Sequence, residues 1–175
     1  GEAFCMLNDQ AIGAYYLLDC NLVESILVVD LDVHQGNGTA DIFQNEDRVF
    51  TFSMHGKNNY PFKKEVSDLD IALDDNISDN EYLEILYKNL PLLIDKVKPD
   101  FIFYLSGVDI VKTDKLGKLG CTIDGCKARD EFVFNTCFEK GIPMEVSMGG
   151  GYSKDIKIII EAHANTFRLA QDIYF

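Results

Sequence analysis

The sequence predicts an α/β protein, a mostly parallel sheet covered by helices, and three features carry that prediction. Short apolar runs rich in Val, Ile and Phe recur as "SILVVDLDV", "VFTFSM", "FIFYLSG" and "PMEVSMGG". The longer stretches between most of them have the 3.6-residue periodicity of helices. With 175 residues, 47% hydrophobic and 26% charged, the chain has the size and balance of one soluble globular domain covering 1–175. No linker, repeat or low-complexity segment interrupts it.

The elements follow in order. Asn8 can cap a helix that runs to about Asp19. Ser78 and Glu81 have capping-box spacing and open a second helix. Its inner face is Tyr82, Ile85, Leu86, Leu90, Leu93, Ile94 and Val97; Pro91 should kink or divide it, and Pro99 ends it. A third helix is expected from about Gly125 to Lys140, stopped by Gly141. The last runs from Asp155 to about Tyr174. The stretch "HGKNNYPFKKEVSDLDIALDDN" is the longest irregular one, and irregular stretches of that length tend to be functional.

Charge and cysteine usage narrow the class of partner. A formal net charge of -13 argues against a nucleic-acid surface, which needs clustered Lys and Arg, and favours a cationic ligand. No apolar run approaches the roughly 18 residues of a spanning helix, and no signal-peptide pattern opens the chain. The five cysteines, at 5, 20, 121, 126 and 137, include no C-x-x-C pair. They read as small buried hydrophobes in a reducing cytoplasm, with Cys121 and Cys126 as zinc ligands the less favoured alternative.

The stretch "VVDLDVHQGNGT" points to chemistry. With a period of two, Ile26, Val28, Asp30, Asp32 and His34 share one strand face, and Leu27, Val29, Leu31 and Val33 share the other. One face turns from apolar to ionisable halfway, as a core strand does where it emerges into a site. Other runs also finish in polar groups: Ser53 and His55, Ser106 and Asp109, and three glycines before Tyr152. In a parallel sheet the carboxyl ends of the strands lie along one edge, where such folds bind ligands. Asp30, Asp32, His34, Asp109 and Tyr152 are therefore expected to converge.

Imidazole and carboxylate oxygen suit zinc or another first-row divalent ion, and a catalytic site needs about three protein ligands. Asp32, His34 and Asp109 supply that number. Such an ion polarises a carbonyl and acidifies its water, while Tyr152 could donate to the oxyanion and Gly150 and Gly151 could let backbone approach the substrate. Amide or ester hydrolysis is the reaction class implied. Taken singly, each residue has a plainer reading: Asp30 or Asp41 as structural carboxylates, His55 and His163 as ordinary hydrogen-bonded residues, Phe50, Phe52, Phe101 and Phe103 as core. "GNG" lacks the context of a phosphate-binding loop.

The motifs "FCMLND", "DLDVHQGNGT", "TFSMH", "YLSGVDI", "DKLGKL", "RDEFVF" and "MGGGYS", in this order and spacing, resemble the zinc-dependent histone deacetylase family, class IV-like and bacterial members in particular. The resemblance covers essentially the whole chain. It implies the arginase/deacetylase fold, a three-layer α/β/α sandwich around a mostly parallel sheet, and removal of an acyl group from a lysine-type amide in a protein or a small acetylated amine. It implies zinc, or alternatively ferrous iron, on Asp32, His34 and Asp109, with Tyr152 as oxyanion donor. A structural potassium ion is implied on the side chains of Asp30 and Ser53 and carbonyls of Asp32, His34 and Met54. Asp30 and Asn37 correspond to residues that orient two catalytic histidines, and Phe4 and Tyr60 to the walls of an acyl-lysine tunnel.

Two departures from the family pattern matter. The family's tandem His-His acid–base pair precedes the segment that begins here as "GEAFC", so the resemblance implies the C-terminal portion of a full domain lacking its N-terminal elements. Such a portion is expected to have low activity by itself, because general acid–base help is typically worth about 10²–10⁴-fold, and to leave a sheet edge exposed. Ala3 stands where the family usually has glycine beside the tunnel. The competing readings are a non-catalytic acyl-lysine binding module or inactive fragment, and an unrelated Asp-x-Asp-x-His hydrolase.

Overall fold

The computed structural model describes residues 3–175, so Gly1 and Glu2 of the expected domain lie outside it. Five parallel strands form one sheet in the order β3-β2-β1-β4-β5. They are β1 (Ile26–Asp30), β2 (Val49–Gly56), β3 (Leu69–Leu73), β4 (Phe101–Gly107) and β5 (Met144–Gly149). The helices are α1 (Asp9–Asp19), α2 (Asn37–Phe43), α3 (Asp79–Val97), α4 (Ile123–Lys140) and α5 (Ile156–Tyr174).

The two faces of β1 bury as its alternation predicts. Leu27, Val29, Leu31 and Val33 pack into a large core with Tyr82, Leu86, Leu90, Leu93 and Ile94 of α3, Val133 and Phe134 of α4, and Ala162 and Leu169 of α5. Ile26 and Val28 face the other way, onto Ala11, Ala14 and Leu18 of α1 and Phe43 of α2. Apolar residues on both faces of a central strand require helices on both sides, which gives the α/β/α sandwich. At one edge, β5 is only half-buried and carries an exposed Met148.

The helix ends obey their sequence signals. Asn8 accepts from the Ala11 amide; Ser78 and Glu81 form a reciprocal capping box; Asp155 accepts from Lys157. Gly141 closes α4 with φ of 66°, a conformation that costs other L-residues about 1–2 kcal/mol. The α4 cap itself lies at Thr122, whose hydroxyl accepts from Gly125.

Two sequence expectations need correction. Pro91 does not divide α3, which runs unbroken from Asp79 to Val97. Leu90, Leu93 and Ile94 are buried around it, and their packing outweighs the roughly 3 kcal/mol cost of an interior proline. The supposed irregular stretch contains β3, an edge strand only partly buried, whose apolar pattern is interrupted by Asp70. A helix without a sequence signal, α2, follows at Asn37, and its cap at Gly36 makes no side-chain bond.

Candidate metal centre

The strand order reverses beside β1: β2 and β3 continue to one side, and β4 and β5 to the other. Parallel sheets bind ligands beyond the carboxyl ends of strands at such a switch point. Asp32 follows β1 there, and Asp109 follows β4.

Local bonding explains how D-x-D-x-H brings its side chains together. Asp30 Oδ1 accepts from the Asp32 amide at 3.1 Å, and Asp32 Oδ1 accepts from the His34 amide at 2.8 Å. Each carboxylate thus bonds backbone two residues on, the habit that makes aspartate a turn former. The chain curls instead of extending. Asp109 Oδ1 accepts from the Val33 amide at 3.0 Å and pins the second loop to this curl.

His34 Nδ1 then lies 3.0 Å from Asp32 Oδ1 and 3.2 Å from Asp109 Oδ2. One ligand atom from each of the three residues lies within 4.8 Å of the others. Two close approaches make room for this. A Cβ on Gly107 would stand 2.6 Å from Asp32 Oδ2, and one on Gly150 would stand 2.3 Å from Asp109 Oδ2. The donor set and its glycine walls fit a divalent ion.

The electrostatics are those of a cation site. Burial, and then the Asp32 charge, push Asp109 up to about 6. Burial pulls His34 down, but its bonds to Asp109 and Asp32 outweigh this and carry it up to about 10. A metal ion must therefore displace a proton from His34 at neutral pH. Above about pH 6 Asp109 is ionised, so affinity for a divalent ion is expected to rise roughly tenfold per pH unit from there toward pH 10. Below that range it falls more steeply, as Asp109 also protonates. Chelator competition at several pH values checks this; equal affinity at pH 7 and pH 9 would contradict it.

Tyr152 follows Gly150 and Gly151, whose φ values are 66° and 111°. Its side chain is partly exposed and its ring lies 5.7 Å from that of Phe4, centre to centre. The Tyr60 ring meets Phe62 edge-on at 6.4 Å.

The Histone deacetylase domain family model matches residues 1–167. The chain belongs to the histone deacetylase family. An uncharacterized protein of Picosynechococcus is 46% identical over 174 residues, covering 99% of this chain and 58% of that protein. Histone deacetylase 2 of Arabidopsis thaliana is 30% identical over 172 residues, covering 96% of this chain and 44% of that protein. The chain thus spans about half the length of these curated relatives. Two solved structures share the fold. The HDA15 HD domain has a TM-score of 0.81 at 23% identity, over 98% of this chain and 52% of that one. Acetylpolyamine aminohydrolase from Burkholderia pseudomallei has a TM-score of 0.82 at 22% identity, over 99% and 52%.

The remaining residues singled out by the family pattern lie on β1, β2, α2 and the segment before α1. Asp30 and Ser53 are register partners across β1 and β2, with Met54 buried next along β2. Asn37 opens α2. Ala3 has φ of 51°, the left-handed region that glycine adopts without strain. Ser106 is not at the centre, because its hydroxyl bonds Asp130 in the core.

The plainer histidine readings agree with the geometry. His55 is buried with Nδ1 2.9 Å from Ser53 Oγ. His163 lies on α5, where burial lowers its pKa against an opposing bond to the Gly150 backbone. Among the cysteines, 121, 126 and 137 are buried, but Cys5 and Cys20 are exposed, Cys20 because it caps the surface end of α1. Burial pushes the Cys121 thiol up to about 12 and Cys126 up to about 11, away from the thiolate that zinc requires.

Sequence reasoning missed two supports of the centre. Arg129 is wholly buried beneath it and donates to the carbonyls of Leu31 and Gly107, just before Asp32 and two residues before Asp109. Asp114 accepts from the Tyr152 amide. A charged Arg129–Asp130 pair at helical spacing from Cys126, Val133, Phe134 and Cys137 was the available signal for the first.

Proposed function

We propose that the protein is a metal-dependent hydrolase that removes an acetyl or other acyl group from a lysine-type amide, in a protein or in a small acetylated amine. The observation that carries this is the meeting of Asp32, His34 and Asp109 at the sheet's switch point, within a histone deacetylase family chain. Zn²⁺, or Fe²⁺, held by these three residues would polarise the acyl carbonyl and acidify the attacking water.

The chain's own residues supply the other contacts. Tyr152 donates its hydroxyl to the oxygen that becomes negative during attack, a contact stronger with the oxyanion than with the neutral carbonyl and therefore catalytic. Gly150 and Gly151 let the backbone before Tyr152 approach the substrate closely, and Phe4 with Tyr60 lines its approach. Asp30 and Asn37 occupy the positions that orient the family's two acid–base histidines, which are not among the three histidines of this chain. A potassium ion on Asp30, Ser53 and the carbonyls of Asp32, His34 and Met54 would offset the charge of Asp30, which burial and then Asp32 push well above the usual carboxylate range.

The names of its relatives, histone deacetylase and acetylpolyamine aminohydrolase, support both substrate classes. A net charge of -13 suits either, since a basic tail and a polyamine are both cationic. The test uses the protein with whatever coding sequence precedes Gly1. It is offered an acetyl-lysine peptide and N-acetylputrescine, with and without a chelator. Metal-restored release of acetate supports the hydrolase; tight binding of acetyl-lysine without turnover would instead support the binding module.

A further inference from the structure

We propose that Asp114 is a positioning residue that clamps Tyr152 to the Asp109 loop, an inference that rests on the hydrolase reading above. The need for such a clamp comes from the sequence. Gly149, Gly150 and Gly151 precede Tyr152, and glycine has the widest backbone freedom of any residue. Yet an oxyanion donor must stand about 2.7–3.1 Å from one developing charge. Something outside the triplet has to remove its freedom.

The loop after β4, residues 108–117, does so at four successive points. The Val108 amide donates to the Gly149 carbonyl at 2.9 Å. Gly150 lies against the Asp109 carboxylate, too close for any side chain. The Tyr152 amide donates to Asp114 Oδ2 at 2.5 Å. The Thr113 and Ser153 hydroxyls bond at 2.8 Å. The loop that carries Asp109 therefore also carries the backbone of Tyr152.

Asp114 is the rigid part of this clamp. It is buried, and its other oxygen accepts from the amides of Leu116 and Gly117, each at 2.8 Å. Three N–H donors fix one carboxylate, and that carboxylate fixes Tyr152. Asparagine at 114 keeps the volume but must turn its NH₂ toward either Tyr152 or the Leu116 and Gly117 amides, so one side of the bridge opens.

The experiment is a double-mutant cycle with Asp114→Asn and Tyr152→Phe in the protein with whatever coding sequence precedes Gly1, assayed on an acetyl-lysine peptide. Asp114→Asn is expected to lower kcat about 10–100-fold, the usual loss for an outer-shell support, with KM and zinc content little changed. In the Tyr152→Phe background it should have almost no further effect. Amide exchange at Tyr152 should accelerate at least about tenfold in Asp114→Asn, an effect independent of turnover. Thr113→Val, at an exposed position, gives a weaker version of the same pattern if Asp114→Asn folds poorly. Effects that multiply across the cycle, or unchanged exchange at Tyr152, overturn the clamp. A wild-type protein that hydrolyses nothing overturns the hydrolase reading instead, and the exchange measurement still decides the clamp.

Discussion

Asp109→Ala lowers kcat/KM for an acetyl-lysine peptide by at least roughly 10³-fold, the scale of removing one member of an interdependent catalytic unit. Asp109 holds two things at once. Oδ2 faces His34 Nδ1 at 3.2 Å, and Oδ1 accepts from the Val33 amide at 3.0 Å. Alanine removes a donor to the ion and frees the curl that places Asp32 and His34. Asp109→Asn separates the two effects, because its amide oxygen still bonds Val33 while the charge is gone. Both variants are expected to lose turnover, and only Asp109→Ala is expected to loosen the 30–34 segment, as amide exchange would show. Retention of more than a tenth of wild-type kcat/KM in either would remove Asp109 from the metal centre.

Arg129→Met costs about 3–5 kcal/mol of stability, the penalty for leaving a buried charge without its partner. Arg129 is fully buried and 2.8 Å from Asp130 Oδ1. Asp130 also accepts from Tyr104 at 2.5 Å and from Thr166 at 2.7 Å, so its carboxylate stays in place when the guanidinium goes. A domain has only about 5–15 kcal/mol in total, so the loss should appear as a large drop in the urea midpoint. Arg129→Met combined with Asp130→Asn should recover part of it by removing the stranded charge. Because Arg129 also ties the Leu31 and Gly107 carbonyls together, zinc affinity should fall with the single variant and stay low in the double one. Equal stability of wild type and Arg129→Met would show that the pair contributes nothing.

Much of this architecture was legible because it depends on short-range rules. The unbroken apolar run in "ILVVD" dictates burial on both faces of β1, and the caps at Asn8, Ser78 and Asp155 mark helix starts by their own hydrogen bonds. The approach of Asp32 to His34 follows from aspartate bonding backbone two residues on. The approach of Asp109 does not, since it depends on β4 lying beside β1, a long-range fact. The missed elements are those where local and tertiary preferences disagree. Edge strand β3 contains Asp70 and is half-exposed, so it lacks the apolar signature of the central strands. Helix α2 has glycines at 36 and 38 and forms against β2 all the same. Arg129 carries the charge of a surface residue and sits in the core because four acceptors await it there.

X-ray absorption at the zinc edge of the zinc-loaded protein tests the metal centre most directly. One zinc ion per chain is expected, with nitrogen and oxygen neighbours at about 2.0–2.2 Å and no sulfur, and it is expected to be lost in His34→Ala. Sulfur in the coordination shell, or an ion that stays bound after His34→Ala, would contradict this.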